Sequence, residues 1–370
     1  ILRRFFLFFG ENPDWGITWG TRVEVALVLV LLFLYVYIKK KKISREDLLD
    51  KISKEKLSQM HRDMVRTRTF DDKVKEMLNK GFSISEHSTL GQEAGPIGAC
   101  SALKPDDYIL PYHRGWAWAI GKGMDPKYLL AELLGKKTGY CKGKAGPHLG
   151  SYELGILGRS GVQSAHIPIG AGVGLGIKYS GKKNVCVVFF GDGASNNGNF
   201  HEALNLASVW KVPVIYFCEN NLYAIFSSAK DTTSTKNIGS RSIGYDMENF
   251  VIDGNDILAI YYATSEAIKR ARMGEGPTLI ETKTYRWEGH NPGLDKIHYG
   301  GYRPKEEVDS WKERCPIKRL ENDLLKTNLL NKEKIEEIKY QANKEMDLAE
   351  EFAINSEYPN KEDYLSDVFC

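Results

Sequence analysis

Between residues 185 and 223, apolar and polar positions come in blocks that set the plan for the rest of the chain. Residues 185–190 (Val-Cys-Val-Val-Phe-Phe) are an unbroken run of mostly β-branched and aromatic side chains, the pattern of a strand buried on both faces. The run ends at Gly191-Asp192-Gly193, and Asn196, Asn197 and Gly198 make a polar turn. Over 199–210 the apolar residues Phe200, Ala203, Leu204, Ala207 and Val209 return at helical spacing. Lys211-Val212-Pro213 stops that helix, and 214–218 is a second apolar run closing on Glu219-Asn220-Asn221. Strand, helix and strand in this order predict a right-handed parallel crossover. Asp192 and Asn221 then sit at the carboxyl ends of neighbouring strands, the edge where open α/β sheets bind ligands.

The same reading extends outward. Residues 57–78 carry apolar positions on one helical face, and a small-residue helix runs from Ala94 to Leu103. A short strand is expected at 108–110, a helix at 125–134, and a basic, Gly-rich loop at 135–150 containing Lys142-Gly143-Lys144. Gly170, Gly172, Gly174 and Gly176 alternate within 167–177, but not as G-x-G-x-x-G, so they predict close helix packing rather than a dinucleotide site. Residues 227–242 are polar and read as a mobile segment. Further strands are expected at 250–253 and 278–283, with a helix over 257–273 between them. A long loop at 285–303 carries Glu288-Gly289-His290, and the charged helical pattern from Lys305 onward predicts a solvated face and subunit contacts. The sum is an α/β domain over 43–370, with a central, mostly parallel sheet and helices on both faces.

Residues 1–42 differ in composition. They contain the apolar run 25–38, extendable to Val23, followed by Lys39–Lys42. This is shorter than the roughly 20 residues that span a bilayer. Two readings stand: a short membrane anchor with contact through 23–42, or a non-native start, since the chain opens on Ile1. A secretory signal does not fit, because the basic residues follow the apolar run. The head holds seven Lys and Arg against three acidic residues, so the overall charge of +3 leaves the remainder at −1. No basic surface remains for nucleic acid. Six cysteines include no C-x-x-C pair, which suits a reducing, cytoplasmic setting, membrane-associated only if the head inserts.

Asp192, Asn221 and a backbone carbonyl near Tyr223 offer an all-oxygen ligand set, which suits Mg²⁺. Gly193 and Ala194 are small enough for backbone N–H groups to approach a phosphate. Asp192 precedes Asn220 by 28 positions.

Gly-Asp-Gly, a strand–helix–strand spacer and Asn-Asn resemble the diphosphate- and Mg²⁺-binding motif of thiamine-diphosphate enzymes. Over 43–370 the chain resembles the alpha subunit of the first, decarboxylating component of 2-oxo acid dehydrogenase complexes, most of all the pyruvate and acetoin dehydrogenase types. The collinear matches include Met64-Val65-Arg66, His87 before Gly91-Gln92-Glu93-Ala94, His113-Arg114-Gly115, Lys142-Gly143-Lys144, Gly161, Thr284-Tyr285-Arg286-Trp287, Gly289-His290 and Tyr302-Arg303. The resemblance implies a thiamine-diphosphate-binding fold in which Asp192, Asn221 and the Tyr223 carbonyl hold Mg²⁺. It places Arg114, Gly191, Gly193 and Ala194 on the diphosphate, His113 on the cofactor, Gly161 and Gln163 by the aminopyrimidine, and Ile225 under the cofactor's bend. His87 and His290 face substrate, and His290 also lies by the cofactor; His148, His166 and His298 read as structural.

The resemblance further implies oxidative decarboxylation of a 2-oxo acid such as pyruvate, with acyl transfer to a lipoyl-bearing acyltransferase. The alternative substrate is acetoin. No second nucleotide-like half supplies the Glu that activates the cofactor, so a beta subunit and an α₂β₂ heterotetramer are implied. Trp116-Ala117 stands where many relatives carry His-Gly, which predicts either an altered pocket or an interface Trp. Asn291 replaces a serine that is regulatory in animal relatives. A non-catalytic Mg²⁺-nucleotide module and a membrane-tethered scaffold are the rivals from other classes.

Overall fold

The computed structural model describes residues 44–84, 87–291 and 302–367. The chain divides into two units, 1–48 and 49–370, and the elements given below belong to the second. The anchor reading of 23–42 and the domain start at 43 fall outside the described residues. Among the described residues no helix is long and apolar enough to cross a membrane.

Five strands, β1 (Tyr108–Leu110), β2 (Cys186–Gly191), β3 (Val214–Asn220), β4 (Glu248–Asp253) and β5 (Thr278–Lys283), form one sheet in the order β1-β2-β3-β5-β4. Every pairing is parallel. The longer helices are α1 (Lys54–Asn79), α2 (Ala94–Ser101), α3 (Pro126–Leu133), α4 (His166–Tyr179), α5 (Gly198–Trp210), α6 (Ile257–Arg272), α7 (Lys305–Glu313), α8 (Pro316–Lys326) and α9 (Lys332–Asn355). Alternation within the strands divides the core. Cys186, Val188, Phe190, Val214, Tyr216 and Cys218 pack with Ile167 and Ala171 of α4 and Phe200, Ala203 and Leu204 of α5. Val187, Phe189, Ile215 and Phe217 are equally buried and point to the opposite face, where α6 lies against β3, β4 and β5. Helices on both faces of a parallel sheet follow.

The glycines of α4 separate by face. A Cβ on Gly170 would collide with the Val188 side chain, and one on Gly174 would lie 2.5 Å from Val214 Cγ2. Gly172 and Gly176 face open space. Only the first pair is needed for the helix to lie close on the sheet.

Two expectations change. Residues 227–242 are built rather than mobile: Ser227–Ser228 pairs antiparallel with Tyr223–Ala224, one helical turn follows, and a 3₁₀ helix spans Ile238–Tyr245. Arg241 of that helix donates to Ser195 O at 2.6 Å and Asn196 Oδ1 at 2.8 Å, so a segment of polar composition braces the turn after β2. Nor is the C-terminal part merely a solvated face. α9 buries Ile335, Ile338, Ala342, Met346, Ala349 and Ala353, and Glu345 receives Arg66 of α1 at 2.8 and 2.7 Å. Its charges masked a regular apolar seam.

Gly170→Ala should cost about 1–3 kcal/mol through overpacking, whereas Gly172→Ala should be neutral or gain up to about 1 kcal/mol from helix propensity. Urea unfolding of both variants checks the opposed signs.

Candidate active site: a cationic cavity at the carboxyl edge of the sheet

Parallel pairing sets Gly191 of β2 beside Glu219 of β3, so the residues that follow each strand emerge together. A cavity of about 700 Å³ opens there. His87, His113, Arg114, Gly161, Gln163, Gly191, Asp192, Gly193, Ala194, Asn221, Tyr223, Ile225 and His290 all line it. Tyr112, His148 and Ala224, which sequence reasoning did not place there, line it as well. Gly193 fits because a Cβ would stand 2.6 Å from that of Ala224.

The asparagine pair splits in function. Asn220 Nδ2 donates to Glu281 Oε1 at 2.7 Å and Asn220 Oδ1 accepts from Leu222 N at 3.1 Å, so this residue ties β3 to β5. Asn221 turns toward the cavity, its Nδ2 donating to Gln92 Oε1 at 3.1 Å. Its Oδ1 accepts from Tyr223 N at 3.4 Å. Asp192 is buried, its Oδ2 has no partner, and burial pushes its carboxyl up to about 6. The Tyr223 hydroxyl is taken by Glu307 of α7 at 2.8 Å.

Between Asn221 and the hairpin the backbone is strained. Leu222 (φ 71°) and Ile225 (φ 55°) adopt the left-handed region, which is unusual for a β-branched residue such as Ile225. Arg286 Nη2 donates to Ile225 O at 2.6 Å and holds that turn. Ile225 is thereby displayed at the cavity, 46% exposed.

Three imidazoles meet from distant parts of the chain: His87 and His113 at 4.6 Å between ring centroids, His87 and His290 at 4.8 Å. Their ring nitrogens lie within 4.8 Å of one another, a spacing compatible with a metal triad. The surrounding charge argues otherwise. Arg114 Nη2 and Arg286 Nη1 both lie 3.2 Å from His290 Nδ1. Guanidinium groups only donate, so His290 Nδ1 accepts and its proton resides on Nε2. Burial, then Arg114 and Arg286, holds His290 down to about 3. Burial followed by Arg114 holds His87 down to about 2 and drives His113 far below the histidine range. Arg286 itself is lowered to about 10 by burial and by Arg114. One lining guanidinium, Arg114, a second just behind the wall, Arg286, and three neutral rings thus surround one carboxyl, a setting that favours an anion.

Trp116 follows neither expectation. It is fully buried inside the chain, against Phe70 and Trp118, with the Arg159 guanidinium 4.2 Å from its ring, and it does not line the cavity. Neither a pocket wall nor a subunit interface accounts for it, because the chain's own core takes it up. His148, read as structural, lies at the cavity instead, whereas His166 is a buried core residue bonded to Phe189 O at 2.7 Å. His298 lies outside the described residues.

A histidine with a depressed folded value destabilises the fold on acidification, because below about 6.5 the unfolded chain binds a proton that the native state refuses. His87→Gln should therefore gain on the wild type as pH falls from 6.5 to 5.0, by up to about 2 kcal/mol. Urea unfolding at the two pH values checks the sign. Asp192, held up at about 6, contributes oppositely in both proteins and cancels in the difference.

Comparison with known proteins agrees with this geometry. The sequence profile of a family described as "Dehydrogenase E1 component" matches residues 61–362. The chain is 39% identical over 332 residues to the alpha subunit of acetoin:2,6-dichlorophenolindophenol oxidoreductase of Bacillus subtilis, covering 89% of this chain and 97% of that protein. It is 33% identical over 318 residues to the pyruvate dehydrogenase E1 component subunit alpha of Rickettsia bellii, covering 85% and 96%. The mitochondrial somatic form from Bos taurus is 34% identical over 304 residues, covering 81% and 75%. The chain therefore belongs to the dehydrogenase E1 component family.

Proposed function

We propose that the chain is the alpha subunit of a thiamine-diphosphate- and Mg²⁺-dependent 2-oxo acid dehydrogenase, acting on pyruvate or a close analogue and passing the acyl group to a lipoyl-bearing acyltransferase. The observation that carries the reading is the cavity's charge: Arg114 lines it, Arg286 stands behind the lining residues His290 and Ile225, and Asp192 is its one lining carboxylate among the described residues. An anionic diphosphate would balance the two guanidiniums. The partnerless Asp192 Oδ2, the Asn221 oxygen and a Tyr223 carbonyl fit Mg²⁺ as hard ligands. The absence of a Cβ at Gly193 fits close approach of a phosphate. When bound, thiamine diphosphate supplies the carbanion that attacks a 2-oxo group and the electron sink that follows loss of CO₂.

This chain's own residues orient and protonate. The His290 tautomer presents an N–H on Nε2, suited to donate toward a developing oxyanion or an incoming disulfide sulfur. His87 and His113, held neutral, leave the substrate wall uncharged. No lining residue among those described supplies a second carboxylate to activate the aminopyrimidine. A beta subunit in an α₂β₂ assembly would provide it.

Acetoin is the second reading for substrate, because the Bacillus relative named for it is 39% identical and the pyruvate-named ones about 33%. The ratio of kcat/KM on pyruvate and acetoin decides between them. The two rivals, a nucleotide module and an inert scaffold, find no support in relatives named as dehydrogenases and oxidoreductases.

Asp192→Ala removes the charged metal ligand, and Mg²⁺-dependent affinity for thiamine diphosphate should fall at least about 100-fold, or 2.7 kcal/mol; unchanged affinity by calorimetry would reject the assignment. The purified chain alone should show no 2-oxo acid decarboxylation, and activity should appear on adding the beta subunit. Turnover by the single chain would contradict the shared site.

A further inference from the structure

Glu132 lies in the last turn of α3 and is fully buried, yet among the described residues its hydrogen-bond partners are backbone N–H groups rather than basic side chains. Oε2 accepts from Cys141 N at 2.8 Å and Gly143 N at 2.9 Å, and Oε1 from Ala145 N at 2.9 Å and Gly146 N at 3.1 Å. Four N–H groups on two oxygens use a carboxyl purely as an acceptor. The loop is shaped to this one side chain. A Cβ at Gly139 would strike Glu132 itself, and one at Gly143 (φ +73°) would strike the Gly135 carbonyl. The glycines of this basic loop serve the carboxylate within rather than a phosphate outside.

Beyond the cradle the chain makes a 3₁₀ turn, Gly146–His148, and a second clamp takes over. Arg159, stacked on Trp116, donates from Nη1 to Pro147 O at 3.0 Å and from Nε to Tyr112 O at 3.3 Å. On the outer side Lys136 Nζ donates to Ser356 O at 2.9 Å and Lys144 Nζ to Ser366 O at 2.6 Å, which straps the loop to the C-terminal segment. The product of these restraints is the place of one side chain. The His148 ring lies so close to Gly161 that a Cβ there would come within 2.5 Å of Cε1, and both residues line the cavity.

We infer that His148 is a fourth ligand-contacting histidine of this cavity, set against the heteroaromatic end of the bound cofactor beside Gly161 and Gln163, and that Glu132 is the positioning residue that places it. The inference rests on the cofactor reading proposed above. Trp116 gains a role by the same route: it is the platform for the Arg159 guanidinium that fixes Pro147, and so it acts on the cavity from inside the core. A rigid loop suits this task, because a misplacement of about 1 Å at a contacting group can cost up to about 100-fold in rate.

The test uses the full chain reconstituted with its beta subunit, with thiamine diphosphate and Mg²⁺ as the probe. Site-resolved labelling by diethyl pyrocarbonate should slow at His148 and His290 when the probe is added. His148→Ala should weaken cofactor affinity by about threefold to tenfold, the scale of one lost aromatic contact. Glu132→Gln, which puts a donor where two N–H groups need an acceptor, should speed hydrogen exchange of the amides at 141, 143, 145 and 146 and weaken affinity to a similar extent. In the double variant the two losses should not add, as required when one residue acts through the other. Should Glu132→Gln fail to assemble, Arg159→Lys, which spares the four N–H bonds but gives up Pro147 O, takes its place in the cycle. Protection of His290 with no change at His148, or additive losses, would overturn the inference and leave the cofactor reading standing. Protection of neither histidine would remove both.

Discussion

The register of β2 against β3 is the constraint on which the cavity depends. Parallel pairing of Gly191 with Glu219 brings the turn after each strand to the same height, so Asp192 and Asn221 arrive side by side although α5 separates them in sequence. A slip of one residue would turn Phe190 and Cys218 away from the α4–α5 face and set the turn at Asp192 out of step with Asn221. Both faces of β2 are apolar, so it is the fit of the helices packed on each face, with every residue from Cys186 to Phe190 buried, that holds the register. Packing energy therefore positions the polar groups, and the metal-type ligands contribute little to their own placement.

What gathers at that edge is electrostatically one-sided. Burial first, and then repulsion from the neighbouring guanidiniums, chiefly Arg114, keep the three histidines neutral. The arrangement is costly to hold empty and favourable to fill with an anion, which links the stability of the unit to its ligand. The strained turn at Leu222 and Ile225 belongs to the same economy of placement: Arg286 holds the turn through Ile225 O and the histidine through its Nδ1 with one side chain.

Much of this was legible in the sequence, for identifiable reasons. The β2–α5–β3 unit announces itself through uninterrupted apolar runs, and the residues flanking it occur at strand ends where polarity changes abruptly. The cavity residues from other elements, such as His87 and His290, carry no local signal; only collinear resemblance to a family placed them. Residues 227–242 were misjudged because polar composition says nothing about a 3₁₀ helix whose Arg241 reaches back to Ser195. His148 and Glu132 escaped for a related reason. A buried carboxylate satisfied by four backbone N–H groups looks like any surface Glu until the loop closes around it. Trp116 misled in the other direction, since proximity in sequence to Arg114 did not bring it to the cavity wall: the chain turns at Gly115 (φ +63°), where any Cβ would strike Thr89, and the indole is sent into the core.

The central claim is that this cationic edge is built for the diphosphate of thiamine diphosphate with Mg²⁺. Calorimetric titration of the α/β assembly with thiamine diphosphate, and separately with ADP, tests it most directly, each with and without Mg²⁺. The account predicts saturable binding of thiamine diphosphate that requires Mg²⁺, and ADP binding weaker by at least about tenfold, or 1.4 kcal/mol. Equal or tighter binding of ADP, or thiamine diphosphate binding indifferent to Mg²⁺, would contradict it.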